Sequence, residues 1–529
     1  MTALVYRQPF PASLSTFAVL AAGLVSLPLF YLGYLAASAD PAVWSRLWHT
    51  RIPELLTNTA ALALGVSVGT LGLGVSLAWL VVRFEFTGRR FWEWALVLPL
   101  AMPTYVLAYI YAHLLEPGGP VEQLWRGLVG PEASLFSPYS YTGATLVMVL
   151  DTFPFVYLLA RAALLNFNVS FEEIARACGA SRLRTLLTVT LPLLRPAIVA
   201  GLSLVILYVV SDFGAVSLLR YQTFTYAVYQ QITARYDYGA AGVLSLLLVI
   251  LALIFLVTER WFRERSRFYQ TTGRYRTPQR KRCGLLSAFW ITAYLVVVLG
   301  MAFGVPLLLL IRWSWAAVAD GMVDARFLGF ILNSAMLSGL AATLAVLLGT
   351  PLAYLAIRWP SRLNLFCLQA AYAGYVLPGP VGALALLAFF SQIAPIWYGT
   401  VAVLIIAYIV HFLPAGLQTM EPSLQQVAPN LEEAARSLGL GPIRTLRAIT
   451  LPLVKGGFIA AWVLMFLQSM KELPATLLLR PVGFDTLAVR VWLEASEEYY
   501  QLAAPSALLI VMIALPALVL LVSKDWRAA

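Results

Sequence analysis

Five ionisable side chains stand inside long apolar runs of this sequence. Asp151 lies in MVLDTFPF, His411 in IVHFLPAG, Asp212 in VSDFGAV, and Lys471 beside Glu472 in MKELPAT. A charged group at the centre of a bilayer costs ~2.5–3.5 kcal/mol even on the gentlest scale, so such residues face a cavity, pair with one another or carry function. They occupy matched places. Asp151 answers His411, with Pro154 answering Pro414, and Asp212 answers Glu472. The chemistry open to them is lining or gating a polar route through the membrane. The plainer alternative is that they tie helices together, Lys471 with Glu472 and Asp151 with a backbone donor. A proton relay would need a chain of titratable groups to join them, and the sequence supplies none.

Catalytic signatures are missing. No Gly-x-x-x-x-Gly-Lys-Ser/Thr loop cradles phosphates, no His, Cys and carboxylate cluster has metal-site spacing, and no nucleophile elbow occurs. Cys178, Cys283 and Cys367 are scattered and imply no disulfide framework. The chain reads as no enzyme and as binding no cofactor. If ATP drives its function, a separate subunit hydrolyses it.

The elements that must position these groups are membrane helices. Of 529 residues 61% are hydrophobic and 12% charged, a balance that excludes a soluble domain. About twelve apolar runs are long enough to cross ~30 Å of hydrocarbon. The first, near residues 13–36, reads as a retained span, not a cleaved signal. The fold class expected is an all-α polytopic membrane protein made of two parallel six-helix repeats, 1–260 and 286–529, joined by a basic linker at 261–285. Leu77–Arg83 (LAWLVVR) echoes Leu352–Arg358 (LAYLAIR), and Asn58 echoes Asn333. Such halves should be related by a pseudo-two-fold axis along the membrane normal, with a pathway between them. The prolines at Pro99 and Pro103, and at Pro378 and Pro380, are predicted to break their spans, with Pro99 answering Pro378.

The net charge of +11 sits in short loops between apolar runs, a positive-inside pattern and not a nucleic-acid footprint. Arg83, Arg89, Arg358, Arg362, Arg436 and Arg447 mark one side. Glu116, Glu122, Glu132, Glu494, Glu497 and Glu498 mark the other. The linker and both termini are therefore expected in the cytoplasm.

One polar stretch occurs twice, EEIARACGASRLRTLLTVTLPLLRP at 172–196 and EEAARSLGLGPIRTLRAITLPLVKG at 432–456, with about half of the positions identical. Ser170 and Asn430, each followed three residues later by Glu173 or Glu433, predict a capping box. A break follows at Gly179 and Gly439. A second short helix restarts at Ser181 in one copy and at Gly441–Pro442 in the other. Each copy is thus a helix–turn–helix knuckle on the cytoplasmic surface. Two amphipathic helices lying on lipid are the bland alternative.

The paired knuckles resemble the EAA loops of ABC importer permeases. The match rests on Glu173, Ala175, Gly179 and Pro192, then on Glu433, Ala434, Ala435, Gly439 and Pro452, with Ile174 departing from the pattern. The resemblance implies that these residues, with Glu172 and Glu432, form coupling helices docked on two cytoplasmic ATPase subunits. It also implies an extracytoplasmic solute-binding protein as partner and a bacterial plasma (inner) membrane location. SDFGAVSLLRYQTFTYAVYQQI and MKELPATLLLRPVGFDTLAVRVW look like the matching stretches of fused iron(III) permeases, and thiamine permeases share the layout. The outer residues Tyr236, Asp237, Tyr238, Tyr499 and Tyr500 carry hard oxygen donors that suit ferric ion in principle. An aromatic belt or a docking face is the simpler account of them. A reading of another class is an ion-coupled secondary transporter, which would need midplane coupling residues and no ATPase.

Overall fold

The computed structural model describes residues 12–131, 133–265 and 280–527. Glu132, most of the linker and the extreme termini lie outside the described residues. Against about twelve expected spans, the described residues hold nine to eleven candidate spans. Among the described residues nine helices are long and apolar enough to cross a membrane unbroken, two bent helix pairs pass the same test together, and Tyr500–Pro516 is a shorter apolar helix. The only strands among the described residues are a two-residue parallel pairing of Phe84–Glu85 with Lys281–Arg282.

The bent spans are Arg89–Ala101 with Thr104–Leu115, at 91°, and Arg362–Tyr375 with Gly379–Gln392, at 110°. Proline causes both breaks, as the sequence predicts, but the pairing of prolines is corrected. Pro103 and Pro378 are the residues that precede the outgoing helices, both in extended conformation. Pro99 lies one turn earlier inside a short 3-10 segment. A proline at that position ends one helix by lacking an N–H and starts the next with a preset φ.

The chain forms two compact units. One gathers Met1–Asp40, Ala234–Leu246 and Ala325–Val489; the other gathers Pro41–Thr233, Leu247–Asp324 and Arg490–Ala529. Each unit thus holds the bulk of one sequence repeat together with the opening span of the other, and the second also takes the closing segment Arg490–Ala529. In the first, helix Ala12–Ala37 packs along Arg326–Arg358 and Gly379–Gln392, and the Tyr31 hydroxyl donates to Gln392 Oε1 at 2.8 Å. In the second, Val305–Ala319 packs along Tyr500–Arg527, and Trp313 stacks on Tyr109 and Tyr500 with ring centroids 6.1 Å apart.

Within lipid, helices associate through close packing more than through hydrophobicity, so small residues mark the crossings. Pro414 has no N–H, which leaves the carbonyl of Val410, one turn back, without its helical donor. Gly374 packs directly against that carbonyl: a Cβ at Gly374 would lie 2.2 Å from Val410 O and 3.0 Å from Pro414 Cγ. Gly374→Ala is therefore expected to destabilise by ~1–3 kcal/mol through overpacking. An unchanged unfolding midpoint of the purified variant in detergent would remove this account of the crossing.

Candidate functional site: two anchored knuckles and the polar groups within the spans

The knuckles form as helix–turn–helix units, but their first helices open differently from the expected capping box. They run Ser170–Ala177 and Pro429–Ser437, and the preceding residues, Val169 and Ala428, contribute no capping side chain. The Ser170 N–H is met by Asn168 Oδ1 at 3.2 Å. In the second copy Pro429 occupies the first helical position, where its missing N–H costs nothing. Glu173 and Glu433 are exposed in the first turn.

The glutamates that matter structurally are their neighbours. Glu172 and Glu432 are almost fully buried. Glu172 pairs with Arg83 at the end of the span Ile52–Arg83. It also accepts from Thr190 Oγ1 at 2.8 Å and lies 3.4 Å from Arg176. The Arg83 guanidinium is held over the Trp79 ring at 4.7 Å. Glu432 repeats this arrangement. It accepts from Arg358 Nε at 3.0 Å, Arg436 Nη2 at 3.1 Å, Thr450 Oγ1 at 2.9 Å and the Tyr354 hydroxyl at 3.1 Å. Arg436 lies over the Trp359 ring at 4.8 Å. A buried carboxylate needs such a set of charged and hydrogen-bonding partners. Each knuckle is thereby fastened to the end of a membrane helix.

The turn is a Schellman motif in both copies. Gly179 N–H bonds to Arg176 O and Ala180 N–H to Ala175 O; Gly439 and Leu440 repeat this on Arg436 and Ala435. The motif requires a left-handed residue after the helix, and φ is +87° at Gly179 and +89° at Gly439. Ala435 is buried beneath the turn, while Ala175 is half-buried. Ser181 then caps the second helix by accepting from Arg184 N at 3.3 Å. Gly441 and Pro442 open the other copy, as predicted.

Those second helices, Arg182–Thr185 and Pro442–Thr445, do not end before the membrane. They run through π-helical turns at Leu186–Thr190 and Leu446–Thr450 into Leu191–Ser211 and Leu451–Met470. Leu191 N–H reaches Leu186 O, and Leu451 N–H reaches Leu446 O, in the wider five-residue step. The next residues, Pro192 and Pro452, have no N–H to offer, and the π turn accommodates this locally. Each second helix is thus continuous with a span.

The charged groups within the spans resolve into brackets. Asp212 accepts from Thr104 Oγ1 at 2.7 Å and from the backbone N–H groups of Ala215 and Val216 at 3.0 and 3.3 Å. It caps the short helix Gly214–Leu218 and ties it to the start of Thr104–Leu115, just past the break. Tyr208 reaches both Thr104 and Asp151, so Asp151 and Asp212 share one polar cluster. Glu472 Oε1 accepts from Ala475 N at 3.1 Å and would stand 3.2 Å from a Cβ at Gly379. It thereby holds Pro474–Leu479 against the other break. The link continues through Thr476, whose hydroxyl meets the Tyr408 hydroxyl at 2.6 Å. His411, three residues on along that helix, is half-buried against the Phe412 ring. Lys471 is half-buried and not free of partners.

Asp212 therefore has a capping role that does not depend on any ligand. Asp212→Ala should lower stability by ~1–2 kcal/mol, whereas Asp212→Asn, which keeps an acceptor, should cost much less. Equal unfolding midpoints for the two variants would rule out the cap.

Glu122 in the short helix Pro120–Val129 accepts from the Gly118 N–H and pairs with Arg126 at 2.8 Å. These donors, the Gly118 N–H foremost, hold its carboxyl below the usual carboxylate range. The oxygen donors at residues 236–238 and 499–500 play separate parts. Asp237 Oδ1 accepts from Ala240 N at 2.9 Å and caps the helix from Tyr238. Tyr500 is locked in the aromatic stack, and Tyr236 and Tyr499 are exposed. Among the described residues no group of three His, Cys, Asp or Glu could hold a metal ion.

Sequence reasoning passed over Arg83, Arg358, Thr190 and Thr450 as partners. The signal was present: both arginines end the echoing segments, and both threonines recur in the two copies.

Comparison with known proteins follows the same duplication. The family model for the binding-protein-dependent transport system inner membrane component matches residues 70–264 and again 345–527. The Fe(3+)-transport system permease protein FbpB 2 of Haemophilus influenzae is 33% identical over 475 residues, 88% of this chain and 89% of the relative. The ferric transport system permease protein FbpB of Actinobacillus pleuropneumoniae is 25% identical over 503 residues, 88% and 70% of the two chains. The molybdenum transport system permease protein ModB of Escherichia coli is 32% identical over 208 residues, 37% of this chain and 87% of its own.

Proposed function

The chain belongs to the family of inner-membrane components of binding-protein-dependent transport systems, and we propose that it carries ferric ion across a bacterial plasma membrane. Members of this family are multi-pass transport subunits without catalytic activity or bound cofactor, and they work with ATPase subunits and periplasmic binding proteins. A separate ATPase subunit hydrolyses the ATP. The observation that carries the substrate reading is the reach of the match. Two relatives named for ferric transport each align with 88% of this chain, whereas the molybdenum permease aligns with a share the size of one repeat.

In this reading each knuckle docks on one of two cytoplasmic ATPase subunits. Support comes from apolar side chains left exposed on short polar helices: Ile174, Leu183 and Leu187 in one copy, Leu431 and Leu438 in the other. Such residues outside the hydrocarbon mark an interaction face. ATP-driven closure of the ATPase pair moves the knuckles. Glu172 and Glu432 carry that movement to Arg83 and Arg358, and the π turns carry it to the following spans. Asp151, Asp212, His411, Lys471 and Glu472 sit beside the broken helices that then open or shut the route. Both termini and the linker 261–285 are cytoplasmic, and the repeats 1–260 and 286–529 are the two permease halves.

The substrate test is uptake of radiolabelled ferric ion, thiamine or molybdate into vesicles that hold the permease, its ATPase and its binding protein. Only ferric ion should accumulate, and only with ATP. Accumulation of thiamine or molybdate instead would overturn the substrate. Uptake driven by an ion gradient without ATPase would favour the secondary-transporter reading.

Orientation has its own check. Cys178 is exposed at the first knuckle's turn, while Cys367 is buried. In a Cys283→Ser background, a membrane-impermeant maleimide should label Cys178 in inside-out vesicles and not in right-side-out ones. The reverse pattern would place the knuckles outside and end the coupling proposal.

A further inference from the structure

Four polar side chains meet beside the first broken span, all within one compact unit. Asp151 and Asp212 stand at the two ends, with Tyr208 and Thr104 between them. The Tyr208 hydroxyl reaches Asp151 on one side and the Thr104 hydroxyl on the other. Thr104 Oγ1 lies 2.7 Å from Asp212 Oδ2. The other oxygen, Asp212 Oδ1, is taken by the Ala215 and Val216 N–H groups. The result is a row of side-chain oxygens joined by three hydrogen bonds. It ties Thr104, which opens the helix Thr104–Leu115, to the spans Tyr141–Leu165 and Leu191–Ser211.

Each of those bonds needs a proton of its own. A hydroxyl donates one proton, and an ionised carboxylate donates none. With both carboxylates charged, Tyr208 donates to Asp151 and Thr104 donates to Asp212. The contact between Tyr208 and Thr104 then has lone pairs on both sides and no proton. One further proton completes the row in a single sense, from Asp212 to Thr104, Thr104 to Tyr208 and Tyr208 to Asp151, or in the reverse sense. Electrostatics point the same way. The partners of Asp212 are a hydroxyl and two backbone N–H groups, none of them a cation. Asp151 is 2% exposed. Two carboxyl groups that share a poorly solvated cluster do not both ionise cheaply, and a proton between them belongs to the pair.

We propose that Asp151, Tyr208, Thr104 and Asp212 form a binding site for one proton, shared between the two carboxyl groups, and that this proton holds the outgoing helix of the break to the two spans beside it. Losing it leaves the middle bond unmade and puts two like charges in one row, which frees the start of Thr104–Leu115. The second repeat does not carry the row in its sequence. The places that answer Asp151, Tyr208 and Asp212 hold His411, Gln468 and Glu472. The site is thus a property of one half, and it does not depend on which solute the chain carries.

The test is infrared spectroscopy of the full chain in lipid at neutral pH, made with ordinary aspartate or with carbon-13 in the aspartate carboxyl. The C=O stretch of a protonated carboxyl should be present, and it should shift with the label. Asp151→Asn and Asp212→Asn should each abolish it, because the amide N–H supplies the third proton and the remaining carboxyl ionises. Thr104→Val puts a methyl group where the hydroxyl was and cuts the row, so it serves where an Asn variant does not assemble. The wild-type band should then vanish from its position. A spectrum without the band, a band that ignores the aspartate label, or a band unmoved in Thr104→Val overturns the proposal. So does a band lost in one Asn variant and kept in the other, which would mean a proton trapped on a single carboxyl and not shared.

Discussion

Glu172→Ala and Glu432→Ala should each nearly abolish uptake while the spans remain folded. The argument is electrostatic. Truncating one partner of a buried ion pair costs ~3–5 kcal/mol, because the remaining charge keeps its desolvation and loses its counter-ion. Here the stranded group is Arg83 or Arg358, with side-chain exposures of 10% and 8%. Since each 1.4 kcal/mol is a factor of ten, a knuckle so released would favour the undocked arrangement by about a hundredfold or more. The effect should be local, because the lost contacts join one knuckle to one helix end. Hydrogen exchange should rise in Ser170–Thr190 or Pro429–Thr450 alone. Glu432→Gln should be milder than Glu172→Gln, since each Gln can still accept from its threonine, Thr450 or Thr190, but only the one at 432 also accepts from the Tyr354 hydroxyl. Removing both charges, as in Glu172→Leu with Arg83→Leu, should recover much of the lost stability. Wild-type uptake and exchange in Glu172→Ala would show that the anchor is dispensable.

The repeat made the membrane helices, the duplication and the two knuckles legible in sequence, because periodic apolar runs and a duplicated motif are local signals. The glycine turns were legible for the same reason: Gly179 and Gly439 follow short helices, and a left-handed φ is a requirement on one residue. Other features were hidden because they depend on tertiary partners. Glu173 and Glu433 looked like capping-box residues by spacing, yet the load falls on Glu172 and Glu432. Only the positions of Arg83 and Arg358, brought from a distant span, decide which face of the short helix is inward. The exchange of opening spans between the compact units could not be read either, since Ala12–Ala37 and Val305–Ala319 carry apolar residues that suit any helical neighbour. The role of Asp212 and Glu472 was half visible. Their cost in a membrane flagged them, but the short helices they cap follow breaks in apolar runs that read as continuous.

Replacing Gly179 and Gly439 together with valine should uncouple ATP turnover from uptake in a complex that still assembles. Nothing lies within 4 Å of a Cβ built at either glycine, so a side chain meets no neighbour and the whole effect comes through the backbone. For an L-residue the left-handed region costs roughly 1–2 kcal/mol, and a β-branched residue is a poor occupant of it. The Schellman turn then opens, and the two short helices no longer hold a fixed angle. The second helix, continuous with Leu191–Ser211 or Leu451–Met470, stops following the first. The ATPase should keep hydrolysing, since its own residues are untouched, while transport per ATP falls steeply. Asparagine tolerates the left-handed region, so Gly179→Asn with Gly439→Asn should retain much more transport than the valine pair. This gradation separates a conformational cause from lost docking contact, which would weaken binding of the ATPase in both variants alike. Undiminished uptake per ATP in the double valine variant would show that a rigid turn is not how the stroke reaches the membrane.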